Sequence, residues 1–232
     1  MYKNKTILAI VPARGGSKGI KLKNLSLVNK IPLVGLVGNV VKKVDMIDKS
    51  IVSTDNEKIR KTALHYGLEA PFVRSKELSG DFVGDVEVLT EALINCEKIY
   101  NRRFDILLML QPTCPLRKPN HIISCIRMIV DQDLDSVWTI SKCDSKSHPL
   151  KLLNFKEGKL TYYNKAGSKI IARQQLDDLF FRNGAVYAIK RDLLIKKQKL
   201  LSKKTGALLI KETMINIDNL WDLELANYLV MK

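Results

Sequence analysis

The chain has little that would place it in a membrane or outside the cell. None of its apolar runs approaches the roughly 20 residues that span a bilayer. The first such run, Ile7 to Val11, is too short for the core of a secretion signal, and no small-residue cleavage site follows it. We therefore expect a cytoplasmic protein that does not act at a membrane.

Cysteine is also scarce. The four residues Cys96, Cys114, Cys125 and Cys143 lack the close pairing of a zinc site. A cytoplasmic chain keeps its thiols reduced, so a disulfide framework is not expected either. We interpret these cysteines as buried or incidental residues rather than as ligands.

Aromatic residues make up only 6% of the chain, which argues against a nucleic-acid-binding surface of interleaved aromatic and basic side chains. The net charge of +15 nevertheless points to anionic partners. Those partners could be nucleic acid, a membrane surface or small polyanions, and composition does not choose among them. A basic nucleic-acid-binding protein stays the alternative outside the enzymes, although we expect neither nucleic acid nor membrane as a partner.

What the chain does contain is an alternation of apolar strand-length runs with helical patterns. This alternation predicts an α/β fold with an open, mostly parallel sheet that carries helices on both faces. Strands are predicted at 7–11, 50–53, 71–73, 104–110, 136–140 and 184–189, with shorter candidates at 207–210 and 214–217. Helices are predicted at 33–44, 56–66, 86–100, 119–130 and 219–231.

The rhythm breaks between residues 142 and 182. Polar residues, two glycines and short alternating pieces there predict hairpins or an extended insertion. The length of 232 residues fits one domain with such an insertion. We therefore predict a single domain over 1–232.

In open α/β sheets, ligands bind beyond the carboxyl ends of the strands. The first such loop, Pro12 to Leu25, combines three glycines with Arg14, Lys18, Lys21 and Lys23. Backbone amides together with cations suit a triphosphate. The spacing matches neither a Walker A loop nor a Rossmann fingerprint. Taken alone, the loop could also be an ordinary flexible basic segment.

Three other predicted strands also end in polar groups, at Ser53 to Asp55, Gln111 to Arg117 and Ile215 to Asp218. Asp55 could simply cap the helix that follows it. Asp218 could be a carboxylate favoured by the dipole at the start of the last helix. Both alternatives stay open on the residues alone.

Together these segments resemble the CMP-sialic acid synthetases, the N-acylneuraminate cytidylyltransferases. The resemblance runs in order over almost the whole chain, through Ala13 to Ile20 with Lys23 to Leu25, Ile51 to Asp55, Leu110 to Arg117, Arg173 to Gln175 with Phe181 to Tyr187, and Ile215 to Asp218. It implies a Rossmann-like nucleotidyltransferase fold and an enzyme that joins CTP to an acidic nine-carbon sugar. It also implies a homodimer in which residues 142–182 form the dimerisation insertion.

The resemblance also implies roles for individual residues. Arg14, Lys23 and Asp218 would be catalytic. Nucleotide binding would involve Arg14, Gly15, Ser17, Lys18, Lys23, Asn24, Asp81 and Asp85. Sugar binding would involve Gln111, Lys151, Arg173, Gln175, Asn183 and Tyr187. Asp218 and Asn216 would hold Mg²⁺.

Two positions depart from the family pattern. Asn216 stands where the family has an aspartate, which leaves Asp218 as the one charged ligand for a metal that readily keeps waters and binds substrate phosphates. Asp85 stands where sialic acid enzymes have serine, and its loop resembles synthetases for relatives such as legionaminic acid. The nearest enzyme alternative is a CMP-Kdo synthetase, although such enzymes usually have arginine at the Lys18 position and a Pro-Gly-Lys after it.

Overall fold

The computed structural model describes residues 1–231, which form ten strands and six α-helices. The strands are β1 Ile7–Pro12, β2 Leu27–Val28, β3 Ile31–Pro32, β4 Lys49–Ser53, β5 Ile106–Met109, β6 Ser136–Lys142, β7 Leu153–Lys156, β8 Lys159–Tyr162, β9 Phe180–Lys190 and β10 Thr205–Leu209. The helices are α1 Leu33–Val41, α2 Glu57–His65, α3 Asp85–Ile99, α4 Pro119–Asp131, α5 Arg191–Lys197 and α6 Leu220–Met231.

Six strands form one sheet in the order β10-β6-β9-β5-β1-β4. Strands β4, β1 and β5 are parallel to one another, and β10 is parallel to β6. Strand β9 lies between these two groups and is antiparallel to both of its neighbours. The predicted α/β class with a mostly parallel sheet is confirmed.

Hydrophobic cores cover both faces of the sheet, because strand β1 is apolar throughout and sends successive side chains to opposite sides. Ile7, Ala9 and Val11 join a core built with α1, α2 and α4. Leu8 and Ile10 join a second core built with α3 and α5. All five side chains are fully buried, so β1 is anchored by packing on both faces of the sheet.

Helix boundaries largely follow the sequence signals. The Asn56 side chain accepts hydrogen bonds from two backbone N–H groups in the first turn of α2, as a predicted cap should. Gly67 has φ +85°, the left-handed conformation that ends a helix at low steric cost. Pro119 opens α4. These three helix ends were therefore predictable from the sequence.

Several predicted elements are wrong. Residues 71–73 form no strand; the chain makes only an isolated bridge from Glu69 to Ile51, and Pro71 has no N–H to extend the ladder. The 214–217 candidate is not a strand, and α5 was not predicted at all. The strand predicted at 184–189 is longer, since β9 continues from Phe180 to Lys190.

The segment predicted as an insertion leaves the sheet after β6 and forms the antiparallel hairpin β7–β8. Almost every residue from 151 to 182 is exposed, including Phe155 (74% exposed), Tyr163 (63%) and Ile171 (94%). These large apolar side chains are therefore not packed against other residues of the described chain. No helix within residues 1–231 is long and apolar enough to cross a membrane.

Candidate active site

A cleft of about 520 Å³ lies beyond the carboxyl ends of β1 and β5. Most of the residues predicted to bind a nucleotide meet there. The predicted residues that line it are Arg14, Ser17, Lys18, Lys23, Asn24, Asp81, Asp85, Gln111 and Asp218. The placement agrees with the rule that ligands bind at this edge of an open sheet.

The basic loop after β1 is fixed by hydrogen bonds to its backbone. Buried Asn24 donates from Nδ2 to the Arg14 carbonyl oxygen at 2.9 Å. The Asp55 carboxylate accepts from the backbone N–H of Gly15 at 2.8 Å. Asp55 therefore orients the loop, and Asn56 rather than Asp55 caps the following helix. One of these bonds lies within the loop, and the other comes from the segment after β4.

Gly19 brings this loop close to the end of the sheet at Asp218. A Cβ atom at Gly19 would lie 2.4 Å from the backbone oxygen of Asp218. No side chain fits at that distance, so glycine is required for the close approach. At this one position, the close approach to Asp218 explains why the loop contains a glycine.

Two cations of the loop bind one carboxylate across the cleft. Arg14 Nη1 lies 2.7 Å from Asp81 Oδ1, and Lys18 Nζ lies 2.7 Å from Asp81 Oδ2. Hydrogen bonds from Lys18 and Arg14 hold the pKa of Asp81 below its ordinary value. Lys18 Nζ also lies 5.7 Å from the centroid of the exposed Phe82 ring.

Lys23 joins the loop to the segment before α6. Its Nζ donates to the Ile217 carbonyl oxygen at 2.8 Å and to Asp218 Oδ1 at 2.9 Å. The Lys23 side chain is only 17% exposed, whereas that of Asp218 is 74% exposed. The amine is therefore anchored while the carboxylate faces the open cleft.

Arg74 is a cleft residue that the sequence analysis missed. Its guanidinium is buried and donates from Nε to Ser53 Oγ at 2.9 Å and from Nη2 to the Ser53 carbonyl oxygen at 2.6 Å. Burial lowers its pKa, and the Asp55 charge opposes that effect. Arg74 could have been found from its position. It is a charged residue directly after the apolar 71–73 run, and the other loops of the cleft also begin directly after apolar runs.

Asp85 opens helix α3 between two cavities. A second cavity of about 500 Å³ shares Val83 and Asp85 with the first, and Arg182 lines it. Burial raises the pKa of Asp85, while the charges of Arg182 and Arg74 lower it. The first cavity is lined by several cations, and the second by Arg182 together with the carboxylates of Asp85 and Glu87. The two adjoining cavities therefore offer room for two ligands side by side.

The loop after β5 is pinned to strand β9 and to the segment before α6. Arg117 is buried and donates to the carbonyl oxygens of Gln111, Gly184 and Ala185. The Thr113 carbonyl oxygen accepts from the backbone N–H of Ile217 at 2.8 Å. These bonds hold the loop that carries Gln111 against the segment that carries Asp218, and both residues line the cleft.

Other predicted site residues lie outside the first cleft. Gly15 lies beside it, with its backbone directed to Asp55. Asn183 and Tyr187 are buried on β9; Asn183 bonds to Thr139, Ser141 and Ala185. Lys151, Arg173 and Gln175 are exposed on the segment after β6, and Asn216 is exposed before α6. Their assigned roles stay predictions.

The donor set near Asp218 suits a hard cation only in part. Within residues 1–231, no cluster of three or more His, Cys, Asp or Glu side chains could hold a metal ion. Asp218 offers an exposed carboxylate, and Asn216 an amide two residues away. Mg²⁺ commonly takes one or two carboxylates, several waters and substrate phosphates, so these residues fit an ion that arrives with a nucleotide.

Comparison with known proteins gives one family and several relatives. The family profile described as "Cytidylyltransferase" matches residues 8–230. The chain is 29% identical to the post-translational flagellin modification protein B of Campylobacter coli, over 97% of this chain and 94% of that protein. It is 27% identical to the CMP-N,N′-diacetyllegionaminic acid synthase of Campylobacter jejuni, with the same two coverages.

A solved structure supports the fold independently. A CMP:2-keto-3-deoxy-manno-octonic acid synthetase complexed with CTP matches with a TM-score of 0.73, over 98% of this chain and 99% of the other. The two sequences are only 16% identical, so this likeness concerns the arrangement of the chain alone.

Proposed function

Because the chain belongs to the cytidylyltransferase family, we propose that this nucleotidyltransferase joins CTP to a nine-carbon 2-keto sugar acid. The products are a CMP-sugar and pyrophosphate. The observation that carries the proposal is the cleft in which Arg14, Lys18 and Lys23 converge from one loop, next to a second cavity with its own arginine, Arg182. A polyanionic triphosphate and an anionic sugar acid can meet there only if cations offset their charge.

The triphosphate is assigned to the loop after β1. Its cations and backbone amides form the type of cradle that binds phosphates. Arg14 and Lys18 would exchange Asp81 for phosphate oxygens. Lys23, held by the Ile217 carbonyl, would offer its charge from the side of Asp218. The sugar acid is assigned to the Gln111 side of the cleft and to the adjoining cavity.

The reaction is an in-line displacement at the α-phosphorus of CTP. The anomeric hydroxyl oxygen forms the new bond to phosphorus, the bond to the bridging oxygen of pyrophosphate breaks, and the hydroxyl proton passes to water. None of the three histidines lines the cleft, and burial lowers the pKa of His121. The protein's contribution is therefore positioning and charge neutralisation.

Magnesium belongs to the same proposal. Asp218, with the Asn216 amide oxygen or a water, would hold the ion against the nucleotide phosphates. When bound, Mg²⁺ would offset phosphate charge and lower the pKa of a nearby hydroxyl. Lys23 would keep the Asp218 carboxylate oriented through the bond to Oδ1 that it already makes.

Within the nine-carbon acids, we favour legionaminic acid or a close relative over N-acetylneuraminic acid. The support is the Campylobacter jejuni relative named for N,N′-diacetyllegionaminic acid and the resemblance of the Gly80 to Asp85 loop. Kdo, an eight-carbon acid, is the second candidate, because the CTP-bound synthetase with the same fold is named for it.

The test is pyrophosphate release with CTP and a panel of eight- and nine-carbon acids. We expect turnover with the nonulosonic acids and, in direct competition, a higher kcat/KM for N,N′-diacetyllegionaminic acid than for N-acetylneuraminic acid. A clear preference for the latter would overturn the legionaminate assignment alone. Turnover of Kdo above both would overturn the nine-carbon assignment.

We expect Asp85→Asn to weaken the preference for CTP over UTP. An ionised carboxylate only accepts hydrogen bonds; cytosine offers an amino group where uracil offers a carbonyl. An asparagine amide can pair with either base. The ratio of kcat/KM for CTP to that for UTP should therefore fall about tenfold.

The control for this variant is Glu87→Gln, which alters an exposed carboxylate in the same turn of α3. It should leave the CTP/UTP ratio unchanged. If Asp85→Asn also leaves the ratio unchanged, Asp85 does not read the base. Equal turnover of CTP and UTP by the unmodified protein would show that the loop from 79 to 85 is wrongly assigned.

Residues 142–182 are proposed to form the interface of a C₂ homodimer and to bring Arg173 toward the partner's cleft. The support is the exposure of Phe155 and Ile171 on a segment that leaves the sheet. Ile171→Asp should shift sedimentation toward the monomer and lower activity. Leu64→Asp, at an exposed position of α2, should do neither. A monomer at micromolar concentration with full activity would contradict the proposal.

A further inference from the structure

Arg117 makes an unusual set of bonds for a buried arginine. Its Nε donates to the carbonyl oxygen of Ala185, and its Nη2 donates to those of Gln111 and Gly184, the last at 3.3 Å. One planar guanidinium thus joins the loop after β5 to strand β9. Its fork geometry fixes two backbone segments relative to each other in a way that a single flexible amine cannot.

The charge of Arg117 has no ion-pair partner among residues 1–231. The titratable groups that act on it are the thiol of Cys114 and the phenol of Tyr187, and burial lowers the pKa of the guanidinium. Burying an unpaired charge is costly unless hydrogen bonds compensate it. The three hydrogen bonds to carbonyl oxygens provide that compensation. Loss of any of them should therefore change the position of the loop after β5.

The carbonyls that Arg117 binds belong to residues that shape the cleft wall. The side chain of Gln111 lines the cleft, and a Cβ atom at Gly184 would lie 2.6 Å from Gln111 Oε1. Gly184 has φ +76°, a conformation that glycine adopts readily. Arg117 therefore holds both the backbone of Gln111 and the surface on which the Gln111 side chain rests.

We propose that Arg117 is a positioning residue for the transfer reaction, which acts by fixing Gln111 against Gly184 at the wall of the cleft. The proposal rests on the proposed function, in which Gln111 faces the sugar acid. Arg117 makes no bond to the basic loop between residues 13 and 23 and reaches it indirectly, through the Thr113–Ile217 bond and the Ile217 carbonyl that holds Lys23. Its direct contacts are on the sugar side, so the KM for CTP should change much less than kcat/KM for the sugar acid.

A double-mutant cycle tests the proposal with Arg117→Lys, Gln111→Ala and both together. Lysine keeps the charge but cannot form the three-bond fork. Each single variant should lower kcat/KM for the sugar acid about 10- to 100-fold while the KM for CTP stays near that of the unmodified protein. The double variant should be no worse than the poorer single variant, because both changes remove the same interaction.

Additive losses in the double variant would overturn the proposal, because they would show that Arg117 acts independently of Gln111. A rise of similar size in the KM for CTP would overturn it as well. Impaired binding of both substrates would indicate a general structural defect rather than an effect on Gln111. Absence of pyrophosphate release from the unmodified protein with every acid would instead contradict the proposed function.

A second variant keeps the test valid if Arg117→Lys does not fold. Gly184→Ala leaves the guanidinium and its acceptor carbonyls in the chain, but its methyl group would crowd Gln111 Oε1. We expect the same signature, a lower kcat/KM for the sugar acid with an unchanged KM for CTP. Unimpaired turnover by Gly184→Ala would overturn the proposal.

Discussion

Replacing Lys23 by alanine is expected to lower kcat/KM for CTP by about 10² or more, since removal of one preorganised charge donor at a reacting centre typically has that effect. The Lys23 amine is held by the Ile217 carbonyl and by Asp218, and its side chain is mostly buried. It reaches the cleft already oriented. A steady-state assay of pyrophosphate release measures the loss, and Arg14→Ala should show one of similar size.

Lys21→Ala is the matched control for Lys23→Ala. Lys21 lies two residues earlier in the same loop and is exposed, outside the cleft formed around Asp218. Its removal changes the net charge equally but takes no group from the cleft, so turnover should be nearly unchanged. Near-normal activity of Lys23→Ala and Arg14→Ala, or an equal loss in Lys21→Ala, would contradict the phosphate-binding assignment of the loop.

The second large effect is expected from Gly19→Ala. The added methyl group would meet the backbone oxygen of Asp218 at 2.4 Å, so the loop or the segment before α6 must move. A displacement on the order of 1 Å in a site that works by positioning can cost about 10²-fold in rate. Since Gly19 is exposed, the melting temperature should change little while kcat/KM falls steeply.

Gly16→Ala provides the comparison within the same loop. No atom lies within 4 Å of a Cβ at Gly16, and the residue is exposed. It should retain nearly full activity. Equal activity of Gly16→Ala and Gly19→Ala would mean that the approach of Gly19 to Asp218 has no role in the reaction.

The parts of the fold that could be read from the sequence are those set by local pattern. The fully apolar run at 7–11 predicted the buried strand β1, and the strand ends identified the loops that meet in the cleft. Asn56, Gly67 and Pro119 marked helix ends through backbone geometry that depends on neighbouring residues only. Such signals need no knowledge of distant partners.

The pairing of strands that are distant in the sequence could not be predicted from such local patterns. Nothing in the residues of β9 shows that it runs antiparallel between β5 and β6, because strand direction is fixed by the whole chain path. The short 71–73 run resembles a strand, yet it makes no ladder. Arg74 and Arg117 look like surface residues until burial and their carbonyl partners are known.

The bonds from Arg14 and Lys18 to Asp81 have a consequence for which anions the protein admits. A carboxylate tethered within the same cleft has a high effective concentration, against which a free monovalent anion competes poorly. Only a ligand that replaces several contacts at once gains enough to displace it. The cleft should therefore bind chloride and acetate weakly but bind a triphosphate. Once pyrophosphate begins to leave, Asp81 can rebind the same two cations and hinder its return.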